Sequence, residues 1–326
     1  MLELRKYLLD NSIVFERNIS LKNKTWLKRG GETNLWIKPN SIEQLILIVK
    51  YLYKNKLHFE VIGNSSNCYF TENYNPTITI STIGVTDFNI SDNSIFCGCG
   101  YNVVRLSKYA IRNGISGYEG FISLPGTIGG AVINNSGCFG SVMENVVKSV
   151  ELITPDGDLI QLPSSALNYS HRYSDLKNKT IKGVLISVEL DITSRTNPQI
   201  LKEKSEFNKK LRKLNQENDY PNLGSIHSEL VLWKSNRKLF QIIYNIIAKL
   251  LSITYPSKKK VLLKHLLFTM YGEPRIAKNV SDKNINCFIW KSKNVSDLDF
   301  FKYLKCIQKN SKKSAIEIEI KNEELF

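Results

Sequence analysis

Residues 120–140 read GFISLPGTIGGAVINNSGCFG, and six of the chain's eighteen glycines fall in these twenty-one positions. Small and amide side chains fill much of the rest. A backbone so stripped of bulk is approached closely by something, either a ligand or a neighbouring segment in a tight turn. A second small-residue loop, GNSSN at 63–67, follows the apolar run HFEVI and so sits at the end of a strand. Loops of this kind present backbone N–H groups with no Cβ in the way, and such a nest suits phosphate oxygens. A diphosphate held between the two loops accounts for both of them, and so do plain glycine turns between strands. The standard nucleotide motifs are absent. There is no GxxxxGK[ST], and Gly98-Cys-Gly100-Tyr-Asn-Val lacks the third glycine of the dinucleotide fingerprint.

Outward from these loops the hydrophobic pattern predicts alternating elements. The opening residues read as a helix with Leu2, Leu4, Leu8, Leu9 and Val14 loosely on one face. A strand over 34–38 leads to Ser41, a good N-cap, and a helix from Glu43 with Leu45, Ile46, Ile48, Val49 and Leu52 inward. With the strand at 58–62 this is a β-α-β unit. Strands follow near 77–81 and 95–98, then a helix from Val103 to Asn113 stopped by Gly114. Strands at 147–154 and 159–162 flank the turn Pro155-Asp-Gly-Asp158, and a strand at 181–192 ends this half.

The stretch 193–218 is polar, basic and helical in composition, and leads into a second region. There Arg237, Gln241, Asn245 and Lys249 recur at every fourth position among apolar residues, a helix with a narrow polar stripe. Lys258 to Lys260 and an apolar run to Met270 follow. Two readings stand: a buried helix pair, or a peripheral membrane contact through 237–270 in which basic residues meet anionic lipid. A helix near 298–309 and an alternating strand at 315–321, with Glu317 and Glu319 on one face, close the pattern.

The 326 residues suffice for two domains, and 42% hydrophobic with 23% charged residues is ordinary globular composition. Forty-five Lys and Arg against thirty Asp and Glu give a net charge of +15, which points to anionic partners. No basic segment is interleaved with aromatics as a single-strand groove requires, so no nucleic acid is expected. The six cysteines form no CxxC pair and the four histidines are scattered, so no metal site is expected and the thiols read as free and mostly buried. There is no signal-peptide h-region and no apolar run long enough to span a bilayer, so the expected location is cytoplasmic.

The order of motifs resembles the UDP-N-acetylenolpyruvoylglucosamine reductase family, also called the UDP-N-acetylmuramate dehydrogenases. TWLKRGGETNLWIKPNS (25–41) looks like the family's first block and VIGNSSN (61–67) like its G-x-G-S-N loop. NGISGYEGFISLPGTIGGAVINNSGCFG (113–140) is similar to its long flavin-binding signature, the most specific of the matches. YSHRYS (169–174) resembles F-x-Y-R-x-S, DYPNLGSI (219–226) resembles Y-P-S-A-G-S, and VSDKNINCFI (280–289) resembles V-S-E-K-H-A-N-F-I. AIEIEIK (315–321) fits the terminal E-L-E-P-E-V-R without gaps. The likeness covers nearly the whole chain except about 230–274.

The resemblance implies an α+β protein. A two-lobed FAD-binding domain of the vanillyl-alcohol-oxidase/PCMH type would span 1–195, with lobes of about 1–82 and 83–195, and a smaller α/β substrate domain would span 196–326. It implies non-covalent FAD, NADPH as reductant and a UDP-sugar substrate, the enolpyruvyl group of UDP-N-acetylglucosamine enolpyruvate being reduced to UDP-N-acetylmuramate for peptidoglycan synthesis. The matching cofactor positions are Gly63, Asn64, Ser65, Ser66 and Asn67 in the first loop. In the second they are Pro125, Gly126, Thr127, Gly129, Gly130, Asn135, Gly137 and Gly140. Arg172 matches the arginine that stabilises the enolate-like intermediate, Ser225 the proton donor, and Glu319 the glutamate beside the reacting centre.

The residue types suit the chemistry. Hydride addition to an enol ether conjugated with a carboxylate pushes charge onto that carboxylate, and a guanidinium offers a fixed, permanently charged fork for it. Serine is a weak acid and needs positioning to give up a proton. The chain also departs from the family pattern. Ser65 replaces a glycine, His171 a tyrosine, Ser228 a lysine, Asn284 a histidine and Ile318 a proline. Such departures in the substrate half leave two alternatives: a paralogue acting on another nucleotide- or lipid-linked sugar, or a non-catalytic flavin-binding protein.

Overall fold

In the computed structural model, which describes residues 1–321, helix and strand positions follow the hydrophobic pattern. Helix α1 (Leu2–Asp10) buries Leu4 and Leu8. Val14 does not share that face; it opens strand β1 (Val14–Ser20) with its side chain exposed. β1 pairs antiparallel with β2 (Glu32–Lys38). Ser41 caps α2 (Ile42–Lys54), its Oγ accepting from the Gln44 N–H at 3.3 Å. Leu45, Ile48, Val49 and Leu52 of α2 are fully buried, and each contributes about 2 kcal/mol by leaving water. Three short strands follow: β3 (Glu60–Ile62), β4 (Cys68–Phe70) and β5 (Ile78–Ser81). β2 and β3 both pair parallel with β5, giving a four-stranded sheet in the order β1-β2-β5-β3. The parallel pairing follows from the crossover through α2, since a tight turn can join only antiparallel neighbours.

The chain continues through β6 (Phe88–Ile90), β7 (Ser94–Gly98), α3 (Val103–Arg112), α4 (Ile128–Ile133), β8 (Gly137–Cys138) and β9 (Ser141–Val142). It then forms β10 (Val147–Ile153), β11 (Leu159–Pro163) and β12 (Val184–Asp191). α3 begins at Asn102, whose Oδ1 accepts from the Arg105 N–H at 2.9 Å, and stops before Gly114 at φ +68°, as its composition predicts. A five-stranded antiparallel sheet runs β11-β10-β12-β7-β6. Its central strand β12 buries Leu185, Ile186, Val188 and Leu190, and both α2 and α4 pack on it.

Among the described residues the chain forms two compact units, one of Met1–Ser66 with Asn73–Lys210, the other of Asn67–Glu72 with the chain from Leu211 to Lys321. The first therefore continues past residue 195, into α5 (Pro198–Asn215), whose Leu201 is buried with Ile111 and Ile122. It holds the four-stranded sheet within 14–81 and the five-stranded sheet within 88–191. Residues 322–326, the end of the domain expected from 196, lie outside the described residues.

The second unit contains β13 (His227–Val231), α6 (Lys238–Thr254), α7 (Lys259–Met270), α8 (Asp297–Asn310), β14 (Lys313–Ile316) and β15 (Glu319–Lys321). Its core is aromatic: the Tyr69 and Phe300 rings meet at a tilt with centroids 4.3 Å apart, and Phe288 meets Trp290 edge-on at 4.9 Å. The terminal alternating segment is not one strand. β14 pairs antiparallel with β13, whereas β15 pairs parallel with β4, Glu319 opposite Cys68. Between them the Glu317 N–H donates to the Ile226 carbonyl at 2.8 Å and Ile318 is buried, so the ladder breaks where the strand changes partner. Glu317 and Glu319 consequently do not share the face of one continuous strand.

The buried helix pair expected over 237–270 is half right. α7 buries Lys264, Leu267 and Phe268, but α6 buries no residue at all. Only the stripe Tyr244, Ile247, Ala248 and Leu251 of α6 is half-buried, with Tyr244 edge-on to Trp233 at 5.5 Å. Among the described residues no helix is long and apolar enough to cross a membrane.

Candidate active site

The two small-residue loops meet in the first unit. Ser66 Oγ donates to the Pro125 carbonyl at 2.9 Å. Gly63 faces Thr127 so closely that a Cβ at 63 would lie 2.3 Å from Thr127 Oγ1, a hydroxyl that also accepts from the Gly130 N–H at 3.4 Å to cap α4. The second loop is fixed from beneath: the Val103 N–H donates to Gly126 O at 3.1 Å and the Ile128 N–H to Tyr101 O at 2.8 Å. Among the described residues the N–H groups of Asn64, Ser65 and Ser66 reach no backbone carbonyl. Donors that are held in place and unspent suit an anion.

Ser65, the departure from the family's glycine, keeps a left-handed backbone at φ +52°. It is buried, and its Oγ accepts from the Trp26 N–H at 2.8 Å. The loop thus accommodates a Cβ without leaving glycine-like geometry, and the added hydroxyl is used as an internal acceptor. Asn67 belongs elsewhere. Its carbonyl accepts from the Glu319 N–H at 2.9 Å and its Nδ2 reaches Glu317 O at 3.5 Å, within the second unit.

The glycines of 120–140 answer to more than one cause. A Cβ on Gly120 would fall 2.1 Å from Cys138 O, and one on Gly129 would meet Cys99 Cβ at 2.9 Å. Both are buried against the protein's own chain. The open ones are Gly130, which is exposed, and Gly140, which has nothing within 4 Å of its ideal Cβ.

The end of this stretch folds as the β8–β9 hairpin and borders a cavity of about 340 Å³. Four expected residues line it together: Asn135, Gly137, Gly140 and Arg172. Phe139, Glu144 and His171 join them, with Cys138, Ser141 and Val142. Arg172 sits at the tip of a tight turn in which Ser170 and Tyr173 exchange backbone hydrogen bonds at 3.2 and 3.1 Å. Its φ of +57° is costly for a side chain of this size and is held by its surroundings. Lys177 Nζ donates to Arg172 O at 2.9 Å and to Asn134 Oδ1 at 2.5 Å. Buried Asn135 donates to both Ser170 O and Glu144 Oε2 at 2.8 Å. The guanidinium Nη2 donates to Gly137 O at 2.7 Å, so the arginine is fixed against the glycine-rich stretch itself.

Beside this wall the Tyr169 hydroxyl is buried with no hydrogen-bond partner among the described residues. Burial, and secondarily the Glu144 carboxylate, raise its pKa well above the usual phenol value. An orphaned hydroxyl and a donor-rich loop are what a site for a large polar ligand leaves behind, and in these respects the first unit fits FAD. Sequence reasoning missed Glu144, which lines the cavity, because no local pattern marks it. It reaches the cavity only through the turn after β9.

In the second unit Ser225 follows Gly224, at φ +75°, in a turn where Asn222 Oδ1 accepts the Gly224 N–H at 2.9 Å. Asn284 Nδ2 points at Ser225 Oγ from 3.5 Å. Beyond the serine, Asn286 clamps His227, accepting its N–H at 2.9 Å and donating to its carbonyl at 2.7 Å. His227 is buried, and burial holds its pKa below the ordinary imidazole value against the opposing Asn286 bond. Glu319 pairs with Lys321 Nζ at 2.7 Å, and the Cys68 thiol donates to its Oε2 at 3.5 Å. Buried Cys97, Cys99 and Cys287 have pKa values pushed up to about 12, which leaves them inert as nucleophiles.

Residues 33–163 match the family model described as an FAD binding domain. The UDP-N-acetylenolpyruvoylglucosamine reductase of Anoxybacillus flavithermus is 30% identical over 228 residues, covering 69% of this chain and 75% of that protein. The protein of the same name from Carboxydothermus hydrogenoformans is 30% identical over 217 residues, 66% of this chain and 70% of its own length. The crystal structure of UDP-N-acetylenolpyruvylglucosamine reductase (MurB) from Thermus caldophilus superposes with a TM-score of 0.68 at 18% identity, over 95% of this chain and all of that one, and shows the same fold. The α+β architecture, the FAD-domain match and the relatives agree: the chain belongs to the UDP-N-acetylenolpyruvoylglucosamine reductase family, and with it to the FAD-dependent oxidoreductases.

Proposed function

We propose that this protein reduces the enolpyruvyl group of UDP-N-acetylglucosamine enolpyruvate to UDP-N-acetylmuramate, with NADPH as the reductant. The observation that carries the proposal is Arg172, a permanently charged fork pinned in a left-handed turn on the wall of a cavity that the glycine-rich stretch also lines. Bound FAD supplies the two-electron relay between NADPH and the enolpyruvyl double bond. The Gly63–Ser66 loop, with Gly126 and Thr127, would hold its diphosphate through fixed N–H donors, and Asn135, Gly137 and Gly140 would border the reacting end.

Within this assignment Arg172 takes the negative charge that hydride addition pushes onto the substrate carboxylate. A guanidinium serves better than an ammonium because two donors meet two oxygens and neither can be lost to titration. Ser225 gives a proton to the carbon next to the one that receives hydride, and solvent later restores it. As that proton leaves, charge develops on Oγ, where the Asn284 N–H is already aimed. Glu319, tethered between Lys321 and Cys68, stands as the carboxylate beside the reacting centre. The overall charge of +15 suits NADPH and a UDP-sugar carboxylate, both strongly anionic.

Stopped-flow absorbance tests the assignment. NADPH should bleach the bound flavin, and the enolpyruvyl UDP-sugar should restore its colour. Ser225→Ala should leave bleaching intact and slow recolouring by roughly a hundredfold or more. Equal loss of both steps removes Ser225 as proton donor, and bleaching without recolouring in the unaltered protein removes this substrate.

A further inference from the structure

We propose that α6 lies on an anionic lipid surface, its exposed apolar stripe facing the acyl chains and the surrounding lysines meeting the headgroup phosphates. At 1.5 Å per residue its seventeen residues make a rod of about 25 Å. Tyr244, Ile247, Ala248 and Leu251 face inward. On another side Leu239, Ile243, Ile246, Leu250 and Ile253 form a second apolar row at spacings of four and three residues, flanked by Ile242. This row is open to solvent, Leu239 at 67% and Ile253 at 75% exposure, and Tyr255 extends it at 57%. A row of large aliphatics this long is covered by something in the working protein.

The charges around the row select the occupant. From Val231 to Gly272 the chain carries eight Lys and Arg and not one Asp or Glu. Lys264 is buried against Val280 O and Asp282. The others are Lys234, Arg237 and Lys238 before and at the start of the helix, Lys249 beside the apolar row, and Lys258, Lys259 and Lys260 after it. Lys238, Lys259 and Lys260 stand in the first turns of α6 and α7, where the helix dipole disfavours cations. The 4,3 spacing also suits a second copy of the helix, but two such faces would bring lysines together with no acid to pair them. An apolar row with long cationic side chains at both ends and one beside it matches a bilayer interface, where aliphatics enter and lysines reach up to phosphate.

Flotation of the full-length, flavin-loaded protein tests this on phosphatidylcholine vesicles with and without 30% phosphatidylserine. The protein should float with the anionic vesicles at low salt, not with the neutral ones, and release at high salt. At about fivefold per cation, replacing Lys258, Lys259 and Lys260 by Ala should weaken binding roughly a hundredfold. Ile246→Asp with Leu250→Asp should abolish flotation and leave flavin content and circular dichroism unchanged, since both side chains are exposed. Absence of binding to anionic vesicles at low salt overturns the proposal, as does flotation that survives the Ile246→Asp, Leu250→Asp pair. So does a concentration-dependent dimer that this pair dissociates while no vesicle binding is seen, which would assign the row to a second copy.

Discussion

Replacing Gly63 with alanine sets a methyl group against the Thr127 hydroxyl, and the geometry fixes what must follow. The new carbon would lie 2.3 Å from Oγ1, where an unstrained contact needs about 3.5 Å, so the groups must part by about 1 Å. Either Thr127 rotates away and α4 loses its cap, or the two loops separate at the Ser66–Pro125 bond. Capping losses run to about 1 kcal/mol and overpacking to about 1–3 kcal/mol. Gly63→Ala should therefore destabilise the first unit by about 1–3 kcal/mol, a fall of roughly 3–10 °C in Tm for a unit of this size. Thr127→Ala removes the hydroxyl and leaves Cβ, which lies 3.4 Å from the position of the new methyl, a tight but tolerable contact. The double variant should thus be little worse than Thr127→Ala alone, with a favourable coupling of about 1–2 kcal/mol.

Thermal melts of the four proteins give the cycle, and FAD titration by fluorescence quenching gives the ligand side. Gly63→Ala should weaken FAD severalfold because the loop donors are displaced, and Thr127→Ala should restore part of that loss. Additive stabilities, or FAD affinity unmoved by Gly63→Ala, would refute the view that the loop contact shapes the cofactor cradle.

Arg172→Lys keeps the charge but loses the fork; kcat/KM for the enolpyruvyl substrate should fall roughly 10²- to 10³-fold while flavin bleaching by NADPH persists, as steady-state and stopped-flow rates will show. Ser65→Ala keeps the left-handed backbone and removes the acceptor of the Trp26 N–H, so urea denaturation should show a loss of about 1–3 kcal/mol. Ser65→Gly loses the same acceptor but relieves the backbone, and should be the more stable of the two by about 1 kcal/mol. Because burial holds the folded pKa of His227 below the ordinary value, the unfolded chain takes up that proton first as pH falls. Stability of the second unit should then decline below about pH 6.5, down to the folded pKa, with a slope of at most about 1.4 kcal/mol per pH unit, and His227→Gln should flatten this part of the Tm profile.

Wherever one element buries one face, the pattern was legible. The α2 stripe, the Ser41 cap, the Gly114 stop and the alternation of β10 and β11 each rest on local chemistry that survives in the fold. What the sequence hid was partner choice. Nothing in CYF at 68–70 tells that β4 leaves the first unit to pair with the last strand, since a three-residue apolar run suits either sheet. The same exchange of partners breaks 315–321 into two strands, although its alternation reads as one. Glycine density misled in another way. Gly120 and Gly129 are small because Cys138 and Cys99 press on them, a tertiary cause that looks the same in sequence as an approaching cofactor. For α6 the periodicity was visible, but burial depends on what packs opposite, and only a narrow stripe found a neighbour.

The departures from the family pattern acquire a shape once the second unit is seen. Asn284, standing in place of a histidine, does two jobs: its Oδ1 accepts the Asn286 N–H at 2.9 Å while its Nδ2 faces Ser225. Asn286 in turn holds His227 through both backbone groups, and its own carbonyl accepts the Ile226 N–H at 2.8 Å. Ile226 completes the chain by accepting the Glu317 N–H, two residues before Glu319. The two catalytic candidates of this unit are therefore coupled through a ladder of amides. An imidazole at 284 would bring a titratable group next to the serine, whereas an amide keeps the donor uncharged at every pH. Substitution here has exchanged a proton-sensitive neighbour for a fixed one and has kept the frame that orients Ser225 with respect to the terminal strand. The second unit thus holds Ser225 in an organised polar frame, and on the proposed function its departures would bear on what is recognised more than on whether that frame forms.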